Sequence, residues 1–436
     1  MLDKFQKHIH TTFPFLLERK FYIAVSGGLD SMVLVHLFQQ MKCSFGMLHC
    51  NFQLRATESD EDMKFVLAYA AQHQIPCEVQ QFNTKIYAEK NKLSIQLAAR
   101  ELRYQWFEAQ RQANHYDYIL TAHHLDDTLE TFLINFSRGT GLEGLTGIPQ
   151  QNETIVRPLL PFSREAIWHY AQDNQLQWRE DSSNASDNYL RNKIRHHLVP
   201  ILKELNTSFL DSFQNTIHHL KEAQEILQDG VALRYQEIVL KQEDGTLRFD
   251  LKKLLELDHY TSYLYQWLHS YGFTAWQDIF DLVHAQSGKQ VHSDAFILLK
   301  NRASLLLFSK ESQHDKRHYF IEKGIEYVKE PINLTLCNVS YPSYTLAKCI
   351  FVDQDKIKYP LVIRKWEEGD VFYPKGMKGK KKLSKYFKDE KFSLYEKSTQ
   401  WLLCSENQIV WVIGKRQDER FIITENTKQI LQIIQQ

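Results

Sequence analysis

Residues 21–38 read FYIAVSGGLDSMVLVHLF. The apolar run at the front, rich in aromatic and β-branched residues, has the length of a buried strand. Ser26-Gly27-Gly28 interrupts it, and from Asp30-Ser31 onward apolar residues recur at helical spacing. Strand, glycine turn and helix N-terminus together form a cradle of backbone N–H groups suited to phosphate. A Walker loop would place a lysine after its glycines to reach the β/γ-phosphates. Here an aspartate sits in the turn instead. Neutralising the phosphate charge then falls to a divalent cation, which Asp30 is placed to help hold as Mg²⁺. Such a loop suits cleavage between the α- and β-phosphates: the amides grip the departing pyrophosphate while an acceptor oxygen attacks the α-phosphorus.

The rest of the chain sets limits on what this loop serves. At 436 residues the chain is too long for a single core, and two or three domains are expected. No stretch approaches the ~20 apolar residues of a membrane span. The first residues, MLDKFQK, lack the apolar run of a signal peptide. Cys43, Cys50, Cys77, Cys337, Cys349 and Cys404 are scattered with no C-x-x-C pair. That argues against a zinc ribbon, an iron–sulfur ligand set or a disulfide framework, and fits a reducing cytoplasm. Formal net charge is +0, so a nucleic-acid partner would have to be met by a local patch.

Strand-like runs at 22–25, 44–49, 77–82 and 118–121 alternate with helical periodicity at 31–40, 59–74, 94–114 and 125–136. The alternation predicts an α/β fold with a parallel sheet covered on both faces. Ligands of such sheets bind at the carboxyl ends of the strands. Polar clusters fall at three of those ends: 26–31, 49–55 and 123–130. A long amphipathic stretch from about 201 suggests a connecting helix at 206–228, closing a first domain of 1–205. Residues 229–315 read as a small helical domain, and 316–436 as a small α+β domain. The last domain carries the sharpest charge bias in the chain. Lys375, Lys378, Lys380, Lys381, Lys382, Lys385, Lys388 and Lys391 stand against Asp389 and Glu390 alone. Phe372, Tyr373, Met377, Tyr386 and Phe387 interleave with them, a pattern suited to a folded basic face on RNA phosphates.

The loop Ser26, Gly27, Gly28, Leu29, Asp30, Ser31 resembles the PP-loop of N-type ATP pyrophosphatases. The resemblance implies ATP going to AMP and pyrophosphate through an adenylated intermediate. Further segments resemble the tRNA(Ile)-lysidine synthases within that superfamily. They are LHCNFQLR at 48–55, with Phe52 where a second histidine is common, AARELRY at 98–104, and TAHHLDDTLET at 121–131. A fourth is Asp181-Ser182-Ser183-Asn184 followed by Arg191-Asn192-Lys193-Ile194-Arg195. Thiolation and amidotransferase relatives usually lack this last element. Residues 365–387 resemble the C-terminal tRNA-binding domain of the longer lysidine synthases.

This resemblance implies transfer of AMP to O2 of the wobble cytidine (position 34) of a CAU-anticodon tRNA(Ile). Free L-lysine then displaces AMP to give lysidine. It implies ATP and Mg²⁺ as cofactors and allows a homodimer. His123, Asp127 and Glu130 are spaced to share a helix face. Asp127 and Glu130 are expected to bind the lysine cation or act as general base, and Arg100 and Arg195 to steady ATP phosphates or developing charge. Asp30 completes the catalytic set. Arg191, Asn192, Lys378, Lys380, Lys381, Lys382 and Lys385 are expected on tRNA. Two alternatives stay open from residues alone. A tRNA 2-thiolation enzyme would want cysteines near the site, where only Cys50 is roughly placed. A non-catalytic tRNA-binding protein would have no chemical reason to keep Asp127 and Glu130.

Overall fold

The computed structural model describes residues 1–54, 57–180, 190–242, 244–313, 317–342, 348–377 and 379–436. Arg55, Asp181, Ser182, Ser183, Asn184 and Lys378 lie outside the described residues. The chain forms two compact units, Met1–Gln228 and Asp229–Gln436.

The first unit is built on strands β1 (Phe21–Ala24), β2 (Phe45–Asn51), β3 (Cys77–Gln81), β4 (Tyr118–Leu120), β5 (Gln151–Asn152) and β6 (Ile155–Val156). Their spatial order is β3-β2-β1-β4-β6-β5. All pairs are parallel except the β5–β6 hairpin. β1 lies between β2 and β4 and is covered on both faces, hence its unbroken apolar run. Helices α1 (Leu2–Thr12), α2 (Leu29–Gln40), α3 (Thr57–Gln72), α4 (Thr84–Asn91), α5 (Ile95–Ala113) and α6 (Leu125–Arg138) connect and cover the strands. α2 is apolar nearly all round because it is buried nearly all round. Its Phe38 meets Phe5 of α1 edge-on at 5.3 Å. The expected strands and long helices form as read; α4 and the β5–β6 hairpin are too short for a periodic signal.

Connectivity places the site. From β1 the chain builds outward to β2 and β3, then crosses back to β4 on β1's other side. The strand order reverses there, so the loops leaving β1 and β4 diverge and open a crevice between them. One loop holds Ser26 to Ser31 and the other holds Thr121 to His124.

A helical run follows through Leu190–Lys193, a π-helical turn at Ile194–Leu198, and Val199–Leu205. The connecting helix expected at 206–228 is longer, Phe209–Ile238. Phe213 and Ile217 of this helix pack with Leu125 and Leu129 of α6.

The second unit corrects one expectation. Residues 229–315 are not purely helical. Five antiparallel strands, β7 (Val239–Lys241), β8 (Leu247–Asp250), β9 (Gln290–His292), β10 (Phe296–Asn301) and β11 (Ser304–Ser309), form a sheet in the order β7-β8-β11-β10-β9. Helices Leu251–Leu255, Tyr260–Leu268 and Trp276–Leu282 accompany it. The central hairpin was hidden because both its faces are buried. Leu298, Leu305 and Leu307 join one core, while Ile297, Leu299, Leu306 and Phe308 pack with Tyr395. Without an exposed face the strands do not alternate polar and apolar. The remainder is the expected strand-rich region. Strands Leu334–Val339, Cys349–Asp353, Leu361–Lys365 and Gln408–Val412 contribute to two four-stranded antiparallel sheets.

Candidate active site

The glycine turn is knitted by its own hydroxyls. Ser26 Oγ accepts from the Gly28 N–H at 3.2 Å, and Ser31 Oγ donates to the Gly28 carbonyl at 2.9 Å. Gly27 has φ +89°, a conformation that side chains strain to reach. Gly28 caps α2, so the first-turn amides have no intrahelical acceptor and point to the crevice end of the sheet. Outside the turn, the Arg179 N–H donates to the Gly27 carbonyl at 2.9 Å. Its guanidinium pairs with Asp62 at 2.6 Å and Glu61 at 2.7 Å.

The loop after β4 supplies the second half of the site. His124 caps α6 in a capping box, its backbone N–H donating to Asp127 Oδ2 at 3.0 Å. The buried His124 ring sits among carboxylates, with Nε2 3.5 Å from Asp127 Oδ2 and 3.7 Å from Asp30 Oδ2. Asp30 and Asp127 therefore share one ring nitrogen, while Asp126 Oδ2 lies 3.8 Å from the other, Nδ1. Burial raises the Asp30 carboxyl above its ordinary value, against the pull of His124. Among the described residues, Asp30 Oδ1 is buried without a hydrogen-bond donor. An orphaned carboxylate oxygen beside a phosphate loop fits Mg²⁺, which takes one or two protein carboxylates and completes its shell with phosphate oxygens and water. Among the described residues no group of three or more His, Cys, Asp and Glu is arranged to hold a metal by itself.

His123 Nδ1 lies 2.9 Å from Thr121 Oγ1. Burial, against the charge of Asp127, pushes this histidine down to about 4, so its imidazole is neutral near pH 7. Burial acts to raise Asp127, but His124, His123, the His124 N–H and Arg191 outweigh it and hold the carboxyl below its ordinary value. Glu130, 1% exposed, behaves differently. Arg195 reaches it in a fork at 2.6 and 3.1 Å, and Arg191 Nε stands 3.2 Å from the same carboxylate. Burial nonetheless leaves the Glu130 carboxyl raised. Asp126, next in sequence to Asp127, meets the other side of the same ring and is tied down by further partners. It accepts from the Arg164 N–H at 2.8 Å and pairs with Lys203 at 3.0 Å.

Ser26, Asp30, Ser31, His123, Asp127, Arg191 and Arg195 come together around a cavity of about 440 Å³. Val25, Leu48, Phe107 and Ala122 make its apolar wall, as a nucleobase pocket requires. Gly28, Leu29 and Glu130 instead line a neighbouring cavity of about 840 Å³ that shares Ser26, Asp30 and Arg195. Asn192 is buried, and Arg100 lines neither cavity. Four lining residues were missed by reading the sequence: Arg103, Tyr104, His124 and Arg164. His124 had a signal in the doublet HH, and Arg103 in the AARELRY segment; Arg164 had none. Phe52, standing where a histidine is common, stacks on Phe82 and carries the Arg103 guanidinium 5.1 Å above its ring. Cys50 also lines the cavity, with its thiol pushed up to about 12 by burial.

The lysine run of the second unit is a short hairpin, Val371–Phe372 with Lys381–Lys382, leading into helix Leu383–Asp389. Lys375, Lys380, Lys382, Lys385, Lys388 and Lys391 are exposed, whereas Lys381 pairs with Asp389 at 2.7 Å. The interleaved aromatics divide. Phe372, Tyr386 and Phe387 are buried with Leu383 as the core beneath the run. Tyr373 lies under Arg420 at 4.6 Å, and Met377 is exposed.

Comparison with known proteins agrees with this geometry. Residues 1–202 match the model of the PP-loop domain, 242–310 that of the TilS substrate binding domain, and 361–433 that of the TilS substrate C-terminal domain. The chain is 40% identical to the tRNA(Ile)-lysidine synthase of Parabacteroides distasonis over 95% of both chains. It is 37% identical to that of Bacteroides thetaiotaomicron over 98% of this chain and 97% of the relative. With the Bacillus subtilis protein of the same name it shares 30% over 94% and 93%.

Proposed function

The chain belongs to the tRNA(Ile)-lysidine synthases, enzymes of the PP-loop ATP pyrophosphatase type that form lysidine on tRNA(Ile), and from that premise we propose how its residues divide the work. O2 of the wobble cytidine of a CAU-anticodon tRNA(Ile) attacks the α-phosphorus of ATP. An O–P bond forms, the α–β bridge breaks, and pyrophosphate leaves toward the amides of Ser26 to Ser31. The side-chain amine of free lysine then attacks C2, the C2–O bond breaks, and AMP departs with the oxygen. Bound at Asp30 and the nucleotide's own phosphates, Mg²⁺ supplies charge neutralisation to the first step.

The second step sets opposite demands on the protein. Free lysine arrives as a cation, its amine having a pKa of ~10.4, yet it must attack as a neutral amine. Asp127, held ionised and facing the cavity, suits the binding of the ammonium. His123, neutral near pH 7, suits the proton that leaves the attacking nitrogen. Glu130 suits a supporting role because Arg195 and Arg191 engage its carboxylate. It orients Arg195, whose charge faces both Asp127 and the cavity. The exposed lysines among 375–391 suit tRNA phosphates, with Arg191 as a further contact from the first unit.

The observation that carries this reading is the convergence of Asp30, His123, Asp127 and Arg195 on one cavity where the strand order reverses. A thiolation chemistry is disfavoured by the cysteines themselves. No disulfide joins any of the six among the described residues, and burial keeps Cys50, which lines this cavity, as a thiol rather than the thiolate that sulfur transfer needs. Cysteines outside disulfides suit action in a reducing cytoplasm. Incubation with ATP, labelled lysine and unmodified tRNA tests the reading. Label should enter the RNA as AMP and pyrophosphate appear; an active preparation that leaves the RNA unlabelled would overturn it.

A further inference from the structure

Beside the substrate cavity lies a smaller one, of about 310 Å³, that the reaction above does not use. Arg157 lines it, only 7% exposed. Its Nη1 donates to the Pro149 carbonyl at 2.8 Å, but among the described residues Nε is buried without a hydrogen-bond partner. No carboxylate among the described residues pairs with it. Burial lowers the Arg157 guanidinium below its ordinary value; a hydrogen bond with Tyr104 pulls the other way, and the like charge of Arg100, which lines the same cavity, adds to the lowering. Glu108, also present, is committed to Arg111 at 2.7 and 2.9 Å. A buried arginine lacking a counter-ion is costly to a fold, and a second arginine beside it makes it more so. Two such cations at one cavity are in place for an anion.

We propose that Arg157 and Arg100 form an anion subsite that takes a phosphodiester of the bound RNA, flanking the nucleotide being modified. The subsite rests on the lysidine reading and adds to it a contact on the catalytic unit itself. Tyr104 connects the two places. It lines both this cavity and the substrate cavity, and Arg100 lies 4.9 Å over its ring. A base that enters the substrate cavity brings its flanking phosphates to the mouth of that cavity, within one aromatic ring of Arg157. The nucleotide's own phosphates have their cradle at Ser26 to Ser31, none of which lines this subsite. Arg100, which the sequence had suggested for ATP phosphates, is therefore assigned to RNA.

The test uses the full chain with R157Q, R157K and R100Q. Affinity for unmodified tRNA is measured against salt, and KM for ATP from pyrophosphate release. R157Q should bind tRNA about tenfold more weakly, its dependence of log Kd on log salt shallower by ~1, with KM for ATP unchanged. R157K should keep most of the affinity. Arg100 is exposed, so R100Q should fold normally and lower the salt dependence by itself, which decides the matter even if R157Q does not fold. Wild-type affinity and slope in R100Q and in folded R157Q would overturn the subsite. A raised KM for ATP with tRNA binding intact would give the anion to the nucleotide and equally overturn the RNA assignment. Labelled lysine supplied to the wild type in parallel keeps the two claims apart, since failure there removes the reaction and leaves the binding result standing.

Discussion

Positive charge is held in opposite ways around Glu130 and along the lysine run of residues 375–391. In the first place Arg191 and Arg195 converge on a carboxylate that is 1% exposed. In the second, Lys380, Lys382 and Lys385 stand in solvent, while Lys381 pairs with Asp389. A shielded, paired charge is rigid: its forked hydrogen bonds fix direction to a fraction of an ångström. An exposed charge is mobile and screened, and it contributes a field rather than a geometry. Transfer of AMP to one oxygen needs direction. Holding a long polyanion needs only the field.

The comparison would break most sharply at Asp30. D30A should lower pyrophosphate release at least ~10³-fold, about 4 kcal/mol of barrier, while tRNA binding stays intact. A rate within tenfold of wild type would remove its role toward Mg²⁺ and phosphate. E130A should come next, destabilising the first unit by about 3–5 kcal/mol because Arg195 loses its buried counter-ion. Urea unfolding measures this, and a loss below ~1 kcal/mol would mean that Arg195 reaches water freely.

His123 carries a pH signature. Its folded value of about 4 lies below the unfolded 6.5. Between those values the unfolded chain binds the proton and the folded chain does not, so falling pH favours unfolding. Stability contributed above pH 6.5 should fade by about 3 kcal/mol as the pH drops toward 4. H123N should flatten that part of the curve, and an unchanged curve would show that the ring is not held neutral. The lysine run should give the smallest effect per residue. Neutralising Lys380, Lys382 and Lys385 together should weaken tRNA binding about tenfold and make its salt dependence shallower by ~2–3, with ATP use unaffected. K381Q should act differently, lowering stability slightly through Asp389 with less effect on tRNA.

Reading the sequence succeeded where a local signal carried the information. The strand, glycine turn and helix around Ser26 to Ser31 and the parallel sheet were legible, whereas His123, expected on one helix face with Asp127 and Glu130, lies before α6 begins at Leu125. It failed where partners are distant in the chain. Asp127 and Glu130, alike on paper, separate once Arg195 forks onto Glu130 and His124 meets Asp127. Asp126 meets the other ring nitrogen of His124 and splints Arg164 and Lys203. Composition did not tell which of the aromatics interleaved with the lysines form the core beneath them, Phe372, Tyr386 and Phe387, and which stay outside it. The hairpin of β10 and β11 was hidden for the related reason that burial on both faces erases alternation.

By itself, the stretch at 21–38 determined a strand, a glycine turn and a helix that can grip pyrophosphate. Those depend on side-chain size, backbone freedom and hydrogen bonding within a few residues of each other. Only the tertiary structure decided which carboxylate faces the cavity, which arginines meet carboxylates, and that Arg157 meets none among the described residues. Such properties depend on burial and on charges brought together from far along the chain, and no short segment contains them.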